Sequence, residues 1–319
     1  MATIEKEKTE NKSEKRTLKN IGKRMFFVAW AAPLALFIIN SQVNILPFLF
    51  GDRFEGTIKP IYPSTILAFL IILLAAKEYF GMLKTKFEKN CFWLGYVWLF
   101  ISMCASMLYE NILIFQYTLY ILFLLIVFEA FWAGKGTQRW KRASLFFVGV
   151  VFLNIAGTSL LQYLEPAFMS VWNFPVSNEF FAANLGLITV LCAIFFCDGA
   201  AYIVGSLFGK HRLSETSPKK TIEGSIGGFL FSVLTMTVVF GLFGNHNEQP
   251  VWLGVVLGIV IGIFAQVGDL FFSLTKRYFA VKDTSDLIPG HGGILDRFDS
   301  VLFATPFVHI VITLAAKFG

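Results

Sequence analysis

Four aspartates stand where a carboxylate is costly or close to another. Asp198, in Cys-Asp-Gly-Ala-Ala-Tyr, and Asp269, in Gln-Val-Gly-Asp-Leu, fall within apolar runs, and Asp296 and Asp299 lie three residues apart just before another run. An acid inside such a run is rare and usually faces a cavity, a partner or a metal. A spacing of three on a helix puts both carboxylates on one face, as hard oxygen ligands for magnesium require. Gly290, Gly292 and Gly293 surround His291, so the backbone there can approach a ligand closely. Lys219 and Lys220, after Ser217-Pro218, supply paired cations suited to triphosphate oxygens. Acids for a metal together with cations for phosphate describe phosphoryl or nucleotidyl transfer.

Each feature has a structural competitor. Asp296-Arg297-Phe298-Asp299 could be an ion pair capping the last apolar run, and Lys276-Arg277 could anchor a span end. Lys219-Lys220 could rest on anionic headgroups, and Asp198 could hydrogen-bond a neighbouring helix. Lys77-Glu78 reads as a snorkelling pair near the end of a span. Gly254, Gly258 and Gly262 follow small-x-x-x-small spacing and read as helix packing. His246 and His309 stand alone, without ligand spacing. Gly205 to Lys210 resembles a phosphate loop but has three residues between its glycines, and His211 stands where the magnesium-binding hydroxyl belongs.

The elements that must position these residues are apolar. Of 319 residues, 56% are hydrophobic and 15% charged, with a mean hydropathy of +0.66. A soluble domain carries roughly 25% charged residues. The composition therefore excludes an ordinary soluble globule and a disordered activator. Four cysteines without C-x-x-C spacing exclude a disulfide scaffold. Residues 1–24, with eight basic and four acidic side chains, read as a solvated disordered tail, with no signal-peptide cleavage site after the first apolar run.

Nine apolar runs follow, at about 25–49, 64–83, 91–109, 112–133, 143–164, 181–205, 225–244, 251–274 and 300–318, each near the roughly 20 residues a span requires. The expected fold is an all-α integral membrane protein of about nine spans. Five spans within 25–180 precede a catalytic region of about four spans at 181–319, with long connections at 206–224 and 275–299. Of 27 Lys and Arg, 23 fall in the tail and alternate connections on one side, and only Arg53 and Lys59 fall in connections on the other. The expected amino terminus is cytoplasmic and the carboxyl terminus outside. The +6 net charge follows the same asymmetry. It reads as topology and attraction to anionic lipid, and nucleic acid is not an expected partner.

From Ser273 to Asp299 the chain reads S-L-T-K-R-x4-K-D-x5-P-G-H-G-G-I-L-D-R-F-D, which resembles the signature of phosphatidate cytidylyltransferases, also called CDP-diacylglycerol synthases. S-P-K-K-T-x-E-G-x-x-G-G at 217–228, D-x-x-A-Y-x-x-G-x-x-F-G-K at 198–210 and Q-x-G-D at 266–269 resemble the same family in its usual order. The resemblance is strong over about 195–306. Before residue 190 it rests on hydrophobic pattern and Ala-Ala-Lys-Glu-Tyr at 75–79. One departure is Gly199, where the family often has Thr or Ser.

The resemblance implies transfer of CMP from CTP to phosphatidic acid, giving CDP-diacylglycerol and pyrophosphate. It implies Asp269, Asp296 and Asp299 as ligands of magnesium or another divalent cation, with a second, monovalent cation as a further cofactor. Lys219, Lys220, Lys276 and Arg277 become phosphate contacts, and Asp198 and Asp283 site acids. Ser217, Thr221, Lys282, His291, Gly292, Gly293 and Arg297 become substrate contacts. A homodimer, a cytoplasmic-facing site and a bacterial-type inner or plasma membrane are implied likewise. Three alternatives stay open at this point: another lipid phosphate as acceptor, such as an archaeol-type or polyprenyl phosphate; an ion-coupled transporter; and an inactive scaffold with the same fold.

Overall fold

The computed structural model describes residues 63–87, 92–108, 137–163, 179–214, 217, 220–243, 251–288 and 292–318. Among them the chain is helical, in seven long elements: α1 (Pro63–Lys86), α2 (Phe92–Leu108), α3 (Thr137–Tyr163), α4 (Glu179–Phe208), α5 (Ile222–Phe243), α6 (Val251–Tyr278) and α7 (Leu295–Phe318). Six of these are long and apolar enough to cross a membrane, and the apolar part of α2, Trp93–Ala105, is shorter. The chain is a multi-pass membrane protein. In hydrocarbon every backbone polar group must be satisfied within the segment, and a continuous helix does this. Seven of the nine apolar runs coincide with these helices. The runs at 25–49 and 112–133 and the tail lie outside the described residues.

The ends of the helices differ from expectation in a way that matters for the site. α4 continues to Phe208, α6 to Tyr278, and α7 begins at Leu295 rather than near residue 300. The two connections therefore shorten to 209–221 and 279–294. Lys276 and Arg277 ride on the last turn of α6, and Asp296 and Asp299 on the first turns of α7.

Helices α4 to α7 form one group in which successive helices pack against each other and α4 also meets α6 and α7. Small residues set how close they come. A Cβ at Gly228 would lie 2.6 Å from Cys197 O of α4, and one at Gly258 would lie 2.5 Å from Val233 Cα of α5. The stripe Gly254, Gly258 and Gly262 of α6 is thus the face that meets α5. α1, α2 and α3 pack through aromatic contacts: the Phe80 ring is 4.9 Å from Tyr96 and 5.5 Å from Phe146. Tyr79 donates its hydroxyl to Leu145 O at 2.8 Å. The two groups join where Phe152 of α3 packs against Phe272 of α6 and Phe303 of α7 at 5.3 and 5.7 Å. The exposed apolar residues of α5, among them Leu230, Leu234 and Val238, lie on the surface that lipid would cover.

Candidate active site

One end of the bundle gathers the carboxyl ends of α1, α4 and α6 and the amino ends of α5 and α7. The connection 209–221 is held there by its own neighbourhood. Leu213 N donates to Lys220 O at 2.9 Å, and Ile222 N to His211 O at 2.9 Å. Glu223, in the first turn of α5, accepts from Lys210 N and His211 N at 3.1 and 3.3 Å, and its other oxygen meets His211 Nδ1 at 2.6 Å. Thr221 Oγ1 accepts from Gly224 N at 3.1 Å and so caps α5. This fold aims Lys220 at α6, where its ammonium pairs with Asp269. One turn earlier on α6, Gln266 accepts a hydrogen bond from the Ser225 hydroxyl and donates to Ser225 O and Gly262 O at 3.0 and 2.9 Å, which locks α6 to α5 beneath the ion pair.

The connection 279–294 leaves α6 through a left-handed residue. Ala280 has φ 57°, Val281 N donates to Lys276 O and Ala280 N to Arg277 O, each at 3.0 Å. These are the two bonds of a Schellman cap, with alanine where glycine is usual. Lys86 of α1 reaches the same helix end, 3.3 Å from Tyr278 O and 3.5 Å from the centre of the Tyr278 ring. The chain then returns to α7 through a glycine turn. Gly292 has φ +83°, a region L side chains rarely adopt. Gly293 lies against Thr284 and Glu78, leaving no room for a Cβ.

Two carboxylates hold that turn. Asp296 accepts from Lys276 Nζ at 2.6 Å on one oxygen and from Thr284 N and Gly293 N at 2.8 and 3.0 Å on the other. Glu78, buried on α1, accepts from Ile294 N and Leu295 N at 2.9 and 2.8 Å and from the Thr284 and Ser285 hydroxyls at 2.7 and 2.6 Å. The Thr284 hydroxyl also lies 3.0 Å from Asp296, but it has one proton, and the shorter contact is to Glu78. Sequence reasoning passed over Glu78 as half of a snorkelling pair. Lys77 is exposed, as that reading requires, while Glu78 turns inward. The signal was available: an acid inside an apolar run, judged as Asp198 and Asp269 were judged.

The remaining acids cluster. Asp198 and Asp269 lie within electrostatic reach of one another and of Asp299, with Lys220 also within reach of Asp198 and Lys276 within reach of Asp299. Asp299 is buried and accepts from Ser300 N at 2.8 Å. A Cβ at Gly268 would stand 2.9 Å from Asp299 O, so this glycine lets α7 bring Asp299 beside α6. A Cβ at Gly199 would meet nothing within 4 Å, so a hydroxyl residue would fit beside Asp198.

The structure thus brings Asp198, Asp269, Asp299, Lys220 and Lys276 together. Among the described residues no three His, Cys, Asp or Glu side chains stand ready to hold a metal by themselves. Magnesium needs no such cage, because it is commonly held by one or two carboxylates with substrate phosphates and water. Asp269 and Asp299, with Asp198 beside them, fit that requirement: Asp269 meets Lys220 and, at 3.4 Å, the Ser273 hydroxyl, whereas Asp296 is held by three donors, the Lys276 ammonium and the backbone N–H groups of Thr284 and Gly293. Asp283 and Lys282 are exposed on the second connection, Asp283 near Gly292. Arg277 and Arg297 are exposed, and the Arg277 guanidinium lies 3.5 Å from Val281 O. Ser217 O accepts from Lys220 N at 3.0 Å. Lys219 and His291 lie outside the described residues.

Comparison with known proteins converges on one class. Residues 23–315 match the cytidylyltransferase family profile. The chain is similar to a phosphatidate cytidylyltransferase of Staphylococcus epidermidis, 34% identical over 255 residues, covering 77% of this chain and 88% of the relative. It is 37% and 36% identical over 190 residues to proteins of that name from Staphylococcus haemolyticus and Staphylococcus aureus, covering 56% of this chain and 72% of each relative.

Proposed function

The chain belongs to the cytidylyltransferase family, and from that premise we propose how its residues perform the reaction. The protein transfers CMP from CTP to phosphatidic acid, forming CDP-diacylglycerol and pyrophosphate for phospholipid synthesis. An oxygen of the phosphatidate phosphate attacks the α-phosphorus of CTP. The bond from that phosphorus to the bridging oxygen breaks, and pyrophosphate leaves with the electron pair. The phosphomonoester has a second pKa of about 6, so the nucleophile is already largely ionised near neutral pH and needs no protein base.

The chain's own contribution is charge and position. Lys220 and Lys276, now paired with Asp269 and Asp296, are the cations that meet the phosphates of CTP and of the lipid, and Lys219 and Arg277 are assigned to the same phosphates. Asp269 and Asp299, with Asp198, would hold magnesium, which supplies Lewis-acid stabilisation of charge at the α-phosphorus and on pyrophosphate. Asp296 supports the site through the turn it organises. The observation that carries this reading is the meeting of Asp198, Asp269 and Asp299 with Lys220 and Lys276 at one end of the bundle.

The finer topology belongs to the same proposal. Nine spans with the amino terminus in the cytoplasm place this end of the bundle at the cytoplasmic boundary, where CTP arrives from water while phosphatidate keeps its chains in the bilayer. The one-sided distribution of Lys and Arg supports that orientation. The working unit is a homodimer, to be tested by cross-linking in native membranes.

The deciding experiment supplies detergent-purified protein with CTP, magnesium and phosphatidate. CDP-lipid and pyrophosphate are expected in equal amounts. Their absence, where a control synthase works, overturns the proposal. Labelling of a cysteine introduced in the tail, from one side of sealed vesicles, checks the orientation.

A further inference from the structure

We infer that Glu78 is a positioning residue of the reaction, acting from α1 through the 284–295 turn on the acids and lysine that α6 and α7 present. This deepens the proposed cytidylyl transfer and rests on it. Glu78 is 5% exposed and accepts four hydrogen bonds from a segment more than 200 residues away in sequence. Two of its donors, Ile294 N and Leu295 N, sit at the start of α7, whose early turns carry Asp296 and Asp299. A third, Thr284, also gives its backbone N–H to Asp296, which receives Lys276 on its other oxygen. One carboxylate therefore fixes where α7 begins and, through Thr284 and Asp296, where Lys276 rests.

The bonding pattern makes this requirement specific to a carboxylate. Each Glu78 oxygen accepts one backbone N–H and one hydroxyl. A hydroxyl can rotate and become an acceptor, but a backbone N–H cannot. Glu78→Gln has the same shape, yet either orientation of its amide sets an NH2 against Ile294 N or Leu295 N. The turn must then shift, and with it the start of α7, which carries Asp299.

The test uses the full chain in detergent, comparing wild type with Glu78→Gln. Turnover is expressed per folded molecule, and backbone hydrogen exchange is followed over 284–295 and 209–221. Glu78→Gln should lower kcat and kcat/KM together by about 10–100-fold, as expected when reacting groups are displaced. Exchange should quicken at 284–295 and stay unchanged at 209–221. A residue that merely supports folding would reduce the folded yield and leave kcat per folded molecule unchanged. Wild-type kcat with wild-type exchange at 284–295 overturns the inference.

If Glu78→Gln does not fold, Thr284→Val and Ser285→Ala decide, since each removes one hydroxyl bond to Glu78 and keeps the carboxylate. Each should lower kcat about three- to tenfold with faster exchange at 284–295; no change in either overturns the inference. If the wild type forms no CDP-lipid, the proposed function fails while exchange at 284–295 still decides whether Glu78 sets the turn.

Discussion

The connection 209–221 closes on itself, with His211, Leu213 and Lys220 bonded across a short hairpin and Glu223 clamping its base from 12 and 13 residues away. The connection 279–294 is of comparable length and has three glycines, Gly290, Gly292 and Gly293, where the first has Gly209 alone, but it relies on Glu78, from 206 to 217 residues away, and on Lys86 at the end of α6. Both bring a lysine and an aspartate together: the first carries Lys220 to Asp269, and the second returns the chain to α7 so that Asp296 meets Lys276 of α6. The difference is in what must already be folded. The first connection can form once α4 and α5 are paired. The second takes its shape only when α1 has docked against α6 and α7, so the N-terminal helices, which carry little polar chemistry of their own, become part of the site's framework.

The comparison can be broken most severely where both connections converge. Asp269→Asn removes the partner of Lys220 and an expected magnesium ligand, and should reduce turnover by about 100–1,000-fold. Initial rates with CTP and phosphatidate measure this, and retention of more than a tenth of wild-type rate would remove Asp269 from the proposed site.

A second change separates the connections by stability. Lys276 and Asp296 have side chains only 14% and 5% exposed. Lys276→Ala leaves a buried carboxylate without its cation, at a cost of about 3 kcal/mol. A clear fall in thermal midpoint is expected, together with faster exchange at 279–294. An unchanged midpoint would show that the backbone donors suffice to hold Asp296.

The matching change in the first connection should be milder and local. Glu223→Gln weakens the bonds to Lys210 N, His211 N and His211 Nδ1 at an exposed hairpin. Trypsin cleavage after Lys210 or Arg212 should quicken while the thermal midpoint stays near that of the wild type. A large drop in midpoint would mean that 209–221 is as dependent on the whole fold as 279–294.

The smallest effect is a gain. Ala280 holds φ 57° at the end of α6, where glycine avoids a Cβ penalty of about 1 kcal/mol and loses part of that to its more flexible unfolded chain. Ala280→Gly should raise stability by about 0.5 kcal/mol, read as a slightly higher midpoint with activity retained. A lower midpoint would show that the Ala280 methyl packs usefully.

Much of the bundle was legible in the chain. Apolar runs near span length predicted α1 to α7, and the small-residue stripe on α6 predicted its packing face, because burial periodicity and close approach are written in residue size. Helix ends were read less well. α7 begins at Leu295 because Gly293 and Asp296 build its start from hydrogen bonds that hydropathy does not register. Asp296 and Asp299, on neighbouring positions of α7, were expected to act together at a metal. In the folded chain Asp296 is engaged by Lys276, Thr284 and Gly293, whereas Asp299 joins the cluster with Asp198 and Asp269.

Sequence by itself determined the membrane class, most of the spans, the family and the residue types that a nucleotidyl transfer needs, since composition and short motifs are local properties of the chain. Tertiary structure alone decided which carboxylate faces which cation and that Glu78 belongs to the framework of the site. The reason is distance. A buried carboxylate is defined by the donors that fill its lone pairs, and those of Glu78 come from the opposite end of the sequence, brought beside it only by helix packing.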